Sequence, residues 1–411
     1  MLKLISALLA FLMLFGFVAV YAEETVYIDN AEDLHALSAR VAAGDRMAGI
    51  NVVLRADIAL SDSFTPIGTD TAKPFSGNFD GGGHKISGLC VSGDAYLGLF
   101  GCVTDGSIKN LKIENATVEG GDYCGLLVGR LYAYTDEAVA ENCQVSGTVT
   151  GDSYTGGVAG MVCAAAYDYG ADAAVKECDI QATVNGNIYA GGIAGCAEAR
   201  GNGDTATVLV EACTAKGMVQ ADGSYGTMAG GICGALSAKD NGGNAVAEIK
   251  DCTSFAQVIA ENVAAGGACG TAGAIGEYAM AAVTSSTSLG CVISGAKTGG
   301  FCGKAENSGG TVGFEDCVSA GFVVGTDVDS IGFGVNSGCT RPLTSDGIDM
   351  SSFSVGDANF DGSVDSLDAS IVLKADADLA IAGVNCDTNN DGVADSLDAA
   401  WILRYDAGLV D

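Results

Sequence analysis

The sequence predicts a mainly β protein: a parallel β-solenoid of about eight coils with an N-terminal capping helix, followed by a small α-helical calcium-binding module. Three observations carry this. A glycine-rich apolar element recurs at spacings of 28 to 39 residues, the mark of stacked repeats. Glycine is abundant and proline nearly absent, 61 against 3, while 48% of residues are apolar, a balance that fits neither collagen nor a disordered chain. Near the C-terminus an Asp/Asn/Gly run appears twice, at an offset of 30 residues, with the spacing a hard cation requires.

Residues 1–22 combine a Met-Leu-Lys start, an apolar run from Leu4 to Val20 and a small residue, Ala22, before Glu23-Glu24. This fits a secretory signal peptide cleaved after Ala22. The run is near the lower limit for a membrane span, so an uncleaved anchor stays open. The expectation is an exported, released chain. After a short strand at Val26-Tyr27-Ile28, Asn30 is placed to cap a helix over 31–43, with Asp33 in its first turn, Leu34, Leu37 and Val41 on one face, and Gly44 to end it. Such a helix suits the open end of a repeat array, which must hide both an edge and a core. Strands are expected at 50–54 and 75–79, and the turn at Asp80–Gly83 feeds the first regular strand. Two histidines, His35 and His84, leave few ways to build a histidine-based catalytic pair.

The repeats become visible as Leu97-Gly-Leu-Phe-Gly101, Gly125-Leu-Leu-Val-Gly129, Gly156-Gly-Val-Ala-Gly160 and Gly191-Gly-Ile-Ala-Gly195. They continue as Gly230-Gly-Ile-Cys-Gly234, Gly266-Gly-Ala-Cys-Gly270, Gly299-Gly-Phe-Cys-Gly303 and, weakly, Ile331-Gly-Phe-Gly334. A fixed element at variable spacing means constant coils and variable loops. Each is followed by a second strand of the form apolar-x-x-Cys-x-apolar, as in Ala140-Glu-Asn-Cys143-Gln-Val145, with Ser286 near the cysteine position of one repeat. Alternating strands joined by Gly/Asn/Asp turns read as a parallel β-solenoid.

Sixteen cysteines in an exported chain invite a disulfide reading. Most fall in two columns, Cys143, Cys178, Cys213, Cys252 and Cys317, then Cys196, Cys233, Cys269 and Cys302. Stacked coils hold equivalent residues about 4.8 Å apart, within reach of a disulfide. Yet equivalent side chains point in parallel, and buried cysteine packs well as a small apolar group. Buried thiol ladders are the expectation, with some disulfides or metal binding as alternatives.

A Ser/Asp-rich linker over 340–355 leads to the tail. There Asp357, Asn359, Asp361, the Ser363 carbonyl, Asp365 and Asp368 stand at positions 1, 3, 5, 7, 9 and 12 of a calcium loop. Asp387, Asn389, Asp391, the Val393 carbonyl, Asp395 and Asp398 repeat them. Gly362 and Gly392 hold the sharp turn, and Asp replaces the usual bidentate Glu at position 12. A helical pattern follows each loop, making a loop–helix unit twice over, for two Ca²⁺ ions in all.

Residues 356–411 resemble a type I dockerin, the module by which secreted proteins plug into cohesins on a cellulosome-type scaffoldin. The resemblance implies calcium at both loops and cohesin contacts at Ser366, Leu367 and Lys374 from one copy with Ser396, Leu397 and Arg404 from the other. Leu367 and Leu397 replace the small polar residue often found there. The copies are alike enough that either face could dock a cohesin. The repeats are similar to the GLUG-motif family, on Gly125-Leu126-Leu127-Val128-Gly129 and its variants, Pro66-Ile67-Gly68, Phe75-Ser-Gly-Asn-Phe79-Asp80-Gly81 and Leu99-Phe100-Gly101-Cys102. That likeness covers 26–335 and implies architecture more than activity. The organisation expected is a signal peptide (1–22), a GLUG-type solenoid (23–339), a linker (340–355) and a dockerin (356–411).

The formal charge of −32 repels phosphate backbones and anionic lipid, so nucleic acid and membrane surfaces are disfavoured as partners, and acidic polysaccharides too unless calcium bridges them. Two functions remain. The favoured one is a secreted, extracellular, cellulosome-associated and non-catalytic binding, adhesion or structural component. In it Tyr123, Tyr154, Tyr189 and Tyr225 form an edge column, and Tyr132, Tyr134, Tyr167 and Tyr169 sit in loops where a polysaccharide or cell-surface ligand could stack. The alternative is a β-helix polysaccharide lyase or glycoside hydrolase. For a hydrolase, carboxylates exist at Asp136/Glu137, Asp152, Asp168 and Asp172. For a lyase, basic residues are scattered singly at Arg130, Lys176, Arg200, Lys239 and Lys250, and no cluster emerges.

Overall fold

The computed structural model describes residues 25–223, 227–260, 264–294, 297–319, 323–324, 327–329, 333–336, 356, 358, 363–376, 388 and 395–409. The segments expected to be signal peptide and linker lie outside them. The chain winds as a parallel β-solenoid with three faces. The first is a ten-stranded sheet running from Thr25–Ile28 through Glu137–Glu141 to Thr311–Glu315. The second is an eight-stranded sheet from Phe100–Thr104 to Phe333–Asn336. The third is made of shorter strands, often two to a coil, such as Gln144–Gly151 and Tyr154–Gly156. Each strand of the second face begins at or beside one of the eight glycine-rich elements.

The first helix, α1 (Ala31–Ala42), forms as its residues dictate. The Asn30 side chain accepts the Asp33 N–H, and Gly44 takes φ +104° just beyond the last turn. Leu34, Leu37 and Val41 are buried in the solenoid core beside Ile28, Val52 and Ile67. Ser38 Oγ donates to the Thr65 carbonyl at 2.7 Å. The helix thus closes the end of the array. Of the early strands, 50–54 appears as Asn51–Leu54, whereas 75–79 shrinks to Asn78–Asp80.

A coil is a triangle, not a pair of alternating strands, and the cysteine column lies at one corner. The chain leaves the first face at Glu141, turns at Asn142 and enters the third face at Gln144, with Cys143 between. The turn needs one left-handed residue, and the same position recurs as Asn142, Glu177, Ala212, Asp251, Ser285 and Asp316, with φ of 47° to 53°. The residue after it points inward. Its sulfur does more than fill space: Cys213 Sγ donates to the Glu211 carbonyl at 3.2 Å and accepts the Cys178 N–H at 3.5 Å. Cys252 repeats this toward Cys213, and Ser286 Oγ accepts the Cys252 N–H at 3.1 Å. A small group that donates and accepts is what the corner requires, and serine meets it as cysteine does.

The second corner explains the glycines. A Cβ added at Gly191 would stand 1.9 Å from the Ala194 carbonyl oxygen, and one at Gly230 1.9 Å from that of Cys233. Here the backbone folds back on itself with no room for a side chain. The second proposed cysteine column divides at this bend. Cys233, Cys269 and Cys302 pair in register and face the core, but Cys196 pairs with Met161 and Ala235 on the outer side. It lies past the glycine of the bend, where inward and outward positions are set anew. Apart from Cys291, the described cysteines are free thiols, buried except for Cys90.

Candidate functional site

In the tail, α2 (Ser366–Asp376) and α3 (Ser396–Asp406) pack through Ala369, Val372, Ala399 and Ile402, with Val364 and Trp401 half-buried against them. Both are started by the last residues of the proposed loops. Asp395 accepts the Leu397 N–H at 2.7 Å while Asp398 Oδ2 accepts the Asp395 N–H at 2.9 Å, a capping box. Asp365 and Asp368 do the same at 2.7 and 2.8 Å. Positions 9 and 12 of each loop are therefore also the first anchor of the following helix.

Of the twelve expected calcium ligands, Ser363, Asp365, Asp368, Asp395 and Asp398 lie among the described residues. Asp357, Asn359, Asp361, Asp387, Asn389, Asp391 and Val393 lie outside them. The two position-12 carboxylates are fully buried. Asp398 Oδ1 takes the Thr388 N–H at 2.8 Å and its hydroxyl at 2.9 Å. With the Asp395 N–H, Asp398 thus accepts three donors among the described residues, as an acceptor-only carboxylate can. A buried ionised carboxylate stands only where its charge is met, and the donor set is all oxygen, so these residues fit Ca²⁺. Among the described residues taken alone, no cluster of three or more metal-binding side chains forms.

Of the expected cohesin contacts, Leu367 and Leu397 are exposed, at 39% and 66%, as are Ser366, Ser396 and Arg404. Lys374 lies on α2, with its side chain outside the description. Leu373 and Leu403 are exposed as well and stand 30 residues apart, so each copy shows two leucines where the sequence reading named one.

On the solenoid, the recurring tyrosines are a stack lying over the outer side of the second face. Tyr96, absent from the expected column, begins it; ring centroids run 4.9 Å to Tyr123, 4.8 Å to Tyr154 and 5.1 Å to Tyr189. These match the spacing of stacked strands. Tyr225 lies outside the described residues. Burial raises the Tyr154 hydroxyl to about 12. Tyr134, Tyr167 and Tyr169 are exposed loop residues, with 5.7 Å between the first two rings. Tyr132 is instead a strand residue, half-buried under the Arg130 guanidinium, 4.2 Å from the ring centroid.

Of the carboxylates named for hydrolysis, Glu137 and Asp172 are brought side by side as register partners on adjacent strands of the first face, both exposed to solvent. Asp136 and Glu137 border a shallow hollow with Asp105, which accepts the Tyr134, Thr135 and Asp136 N–H groups and so builds the turn itself. Asp152 accepts the Asn187 amide at 2.8 Å, and Asp168 and Asp172 are exposed. The basic residues are not all single. Arg200 and Lys239 are register partners in adjacent coils, and both bind Glu198.

Fold and tail together define a β-solenoid that ends in a pair of loop–helix units. The tail is a type I dockerin: residues 355–405 match the Dockerin type I domain model. Such domains generally bind calcium and pair with cohesins, which implies extracellular, cellulosome association. Halomucin of Haloquadratum walsbyi (strain DSM 16790 / HBSQ001) is 33% identical over 147 residues, 33% of this chain and 2% of halomucin, so the chain spans about 2% of that relative's length. The crystal structure of a Bacteroides ovatus protein assigned as an immunoglobulin A1 protease is similar, with TM-score 0.51 at 20% identity over 77% of this chain and 83% of that one. At that identity the likeness is one of fold alone. Among the described residues, no helix is long and apolar enough to cross a membrane.

Proposed function

We propose that this is a secreted, non-catalytic binding or structural protein: a GLUG-type solenoid (23–339) that its dockerin (356–411) carries to a scaffoldin. The observation that carries the reading is the tail. A calcium-loop helical pair serves as an address, and its four exposed leucines in two equivalent sets give a cohesin an apolar surface to cover. The twelve loop positions named above hold two Ca²⁺ ions, and Ser366, Leu367, Lys374, Ser396, Leu397 and Arg404 meet the cohesin. The exposed tyrosines at the loop edge support a glycan-facing role for the solenoid, since each offers an aromatic face and a hydroxyl.

Calorimetry of the full chain against a panel of cohesins, with and without calcium, tests the address. Calcium-independent binding, or binding to none, sinks it. A screen of plant polysaccharides for new reducing ends or unsaturated products tests the rest, and product formation overturns the non-catalytic reading.

A further inference from the structure

The outer side of the second face changes character along the stack. Tyr96 through Tyr189 roof the earlier coils, lying on Met161, Cys163 and Cys196. The next position in register is Met228 and the one after it Ala264, so the aromatic roof stops. Beyond the stop opens a hollow of about 230 Å³. Its floor is made of small residues on adjacent strands, Ala235, Ser237, Thr271 and Gly273. Met228 and Tyr189 form one wall and Ile275 stands opposite.

The charged groups are ordered by the register. Glu198, Ser237, Gly273 and Glu306 form one column across four strands, and Arg200 and Lys239 pair in the next. Glu198 faces outward, between Ala197 and Ala199 of the core, yet only 3% of it is exposed. It is covered by the two cations: Arg200 Nε donates to Oε2 at 2.7 Å, and Lys239 Nζ binds Oε1. A buried carboxylate needs such partners, but one would satisfy its charge. With two cations against one carboxylate, a positive charge is left over, and both side chains remain about 40% exposed at the hollow. At the far end Lys304 and Glu306 neutralise each other.

We propose that this hollow binds one carboxylate-bearing pyranose, a uronic-acid unit at the end or on a branch of a glycan. The inference rests on reading the solenoid as a binding module. The sugar carboxylate meets the guanidinium fork of Arg200 and the Lys239 ammonium, a charge-assisted pairing that arginine suits by its planar donors. The ring lies on the small-residue floor against Met228 and Tyr189. The volume of about 230 Å³ suits a single ring. A long polyanion is still turned away by the charge of −32, whereas a single unit seated within a Debye length of about 8 Å feels the local surplus.

Gly273 offers a clean test, because a Cβ there meets nothing nearer than the Glu306 carbonyl oxygen at 3.8 Å. Gly273→Leu should fill the hollow and leave the fold alone. Calorimetry of the calcium-loaded full chain would use a glucuronate-terminated disaccharide, its glucose-terminated counterpart and inorganic sulfate. The acidic disaccharide should bind at least tenfold more tightly than either other probe. Gly273→Leu should weaken it at least tenfold with the melting temperature unchanged, and Lys239→Gln should narrow the preference over the neutral sugar. Equal binding of acidic and neutral sugars, equal binding of sulfate, or full binding by Gly273→Leu overturns the proposal. If other glycans bind the solenoid regardless of Gly273→Leu while the glucuronate does not bind, this site fails and the binding module stands. If no glycan binds at all while the cohesin does, both fail.

Discussion

Raising the pH should loosen the solenoid from within, through its thiols. Burial pushes Cys124 up to about 12, and Cys163 and Cys317 each up to about 11, from an ordinary 9.0. An unfolded thiol gives up its proton near the ordinary value, while the folded one keeps it. Between about pH 9 and pH 11 the unfolded chain therefore binds fewer protons than the folded one, and stability falls as pH rises. Below that window the contribution is fully present. At pH 10 each of the three thiols is about one unit into it, which costs about 1.4 kcal/mol apiece, or about 4 kcal/mol together. Urea denaturation of the full chain with reductant, at pH 7, 8.5 and 10, reads the effect through the β-sheet circular dichroism. About 0.5 M salt screens repulsion among surface carboxylates and leaves the buried thiols untouched. A variant with Cys124→Ala, Cys163→Ala and Cys317→Ala starts lower but should lose about 4 kcal/mol less between pH 8.5 and 10. If the two proteins decline in parallel, the reasoning about burial is wrong.

Three further outcomes are expected. Gly191→Ala forces a Cβ to within 1.9 Å of a carbonyl oxygen, so thermal unfolding should show a loss at or beyond the usual 1–3 kcal/mol of overpacking, roughly 3 kcal/mol; an unchanged midpoint would contradict the close fold-back. Cys213→Ser should cost about 1 kcal/mol or less, because Ser286 already performs the same exchange of hydrogen bonds, while Cys213→Leu should cost about 3 kcal/mol; a loss for Cys213→Ser as large as that for Cys213→Leu would refute this account of the corner. In the tail, Leu397→Asp alone should leave cohesin affinity within about threefold, and adding Leu367→Asp should weaken it more than a hundredfold, roughly 3 kcal/mol. A single substitution that abolishes binding in calorimetry would exclude two equivalent docking faces.

Much of this architecture was readable because repetition amplifies weak signals. Eight glycine-rich elements became eight strands of one face, and Asn30, Leu34, Leu37, Val41 and Gly44 took their expected places in α1. Two kinds of feature stayed hidden. One is the corner: a single left-handed residue at Asn142 or Glu177 carries no mark in composition, so Cys143 read as a strand residue and a triangular coil read as two strands. The glycine bend before Cys196 misplaced that thiol for the same reason. The other is contact between coils. Arg200 and Lys239 are 39 residues apart and looked unrelated, but one coil spans that distance and puts them side by side over Glu198. Aligning the repeats column by column would have found both the pair and Tyr96. In the tail the spacing of oxygen ligands is itself the chemistry, so it could be read directly; the second leucine of each copy required knowing which side of the helix is bare.

Register without offset has a consequence for size. Because Ala171 to Lys176 lies residue on residue over Ala206 to Glu211, and that strand over Ala245 to Lys250, a whole turn of the winding can be removed or added and the surfaces left behind still match. The array can thus be cut like a measuring rod, in graduations of about 4.8 Å. Its length sets how far the closed end at α1 stands from the last winding. Excising one entire winding should shorten the rod by a single graduation while leaving the handhold at the tail unaltered.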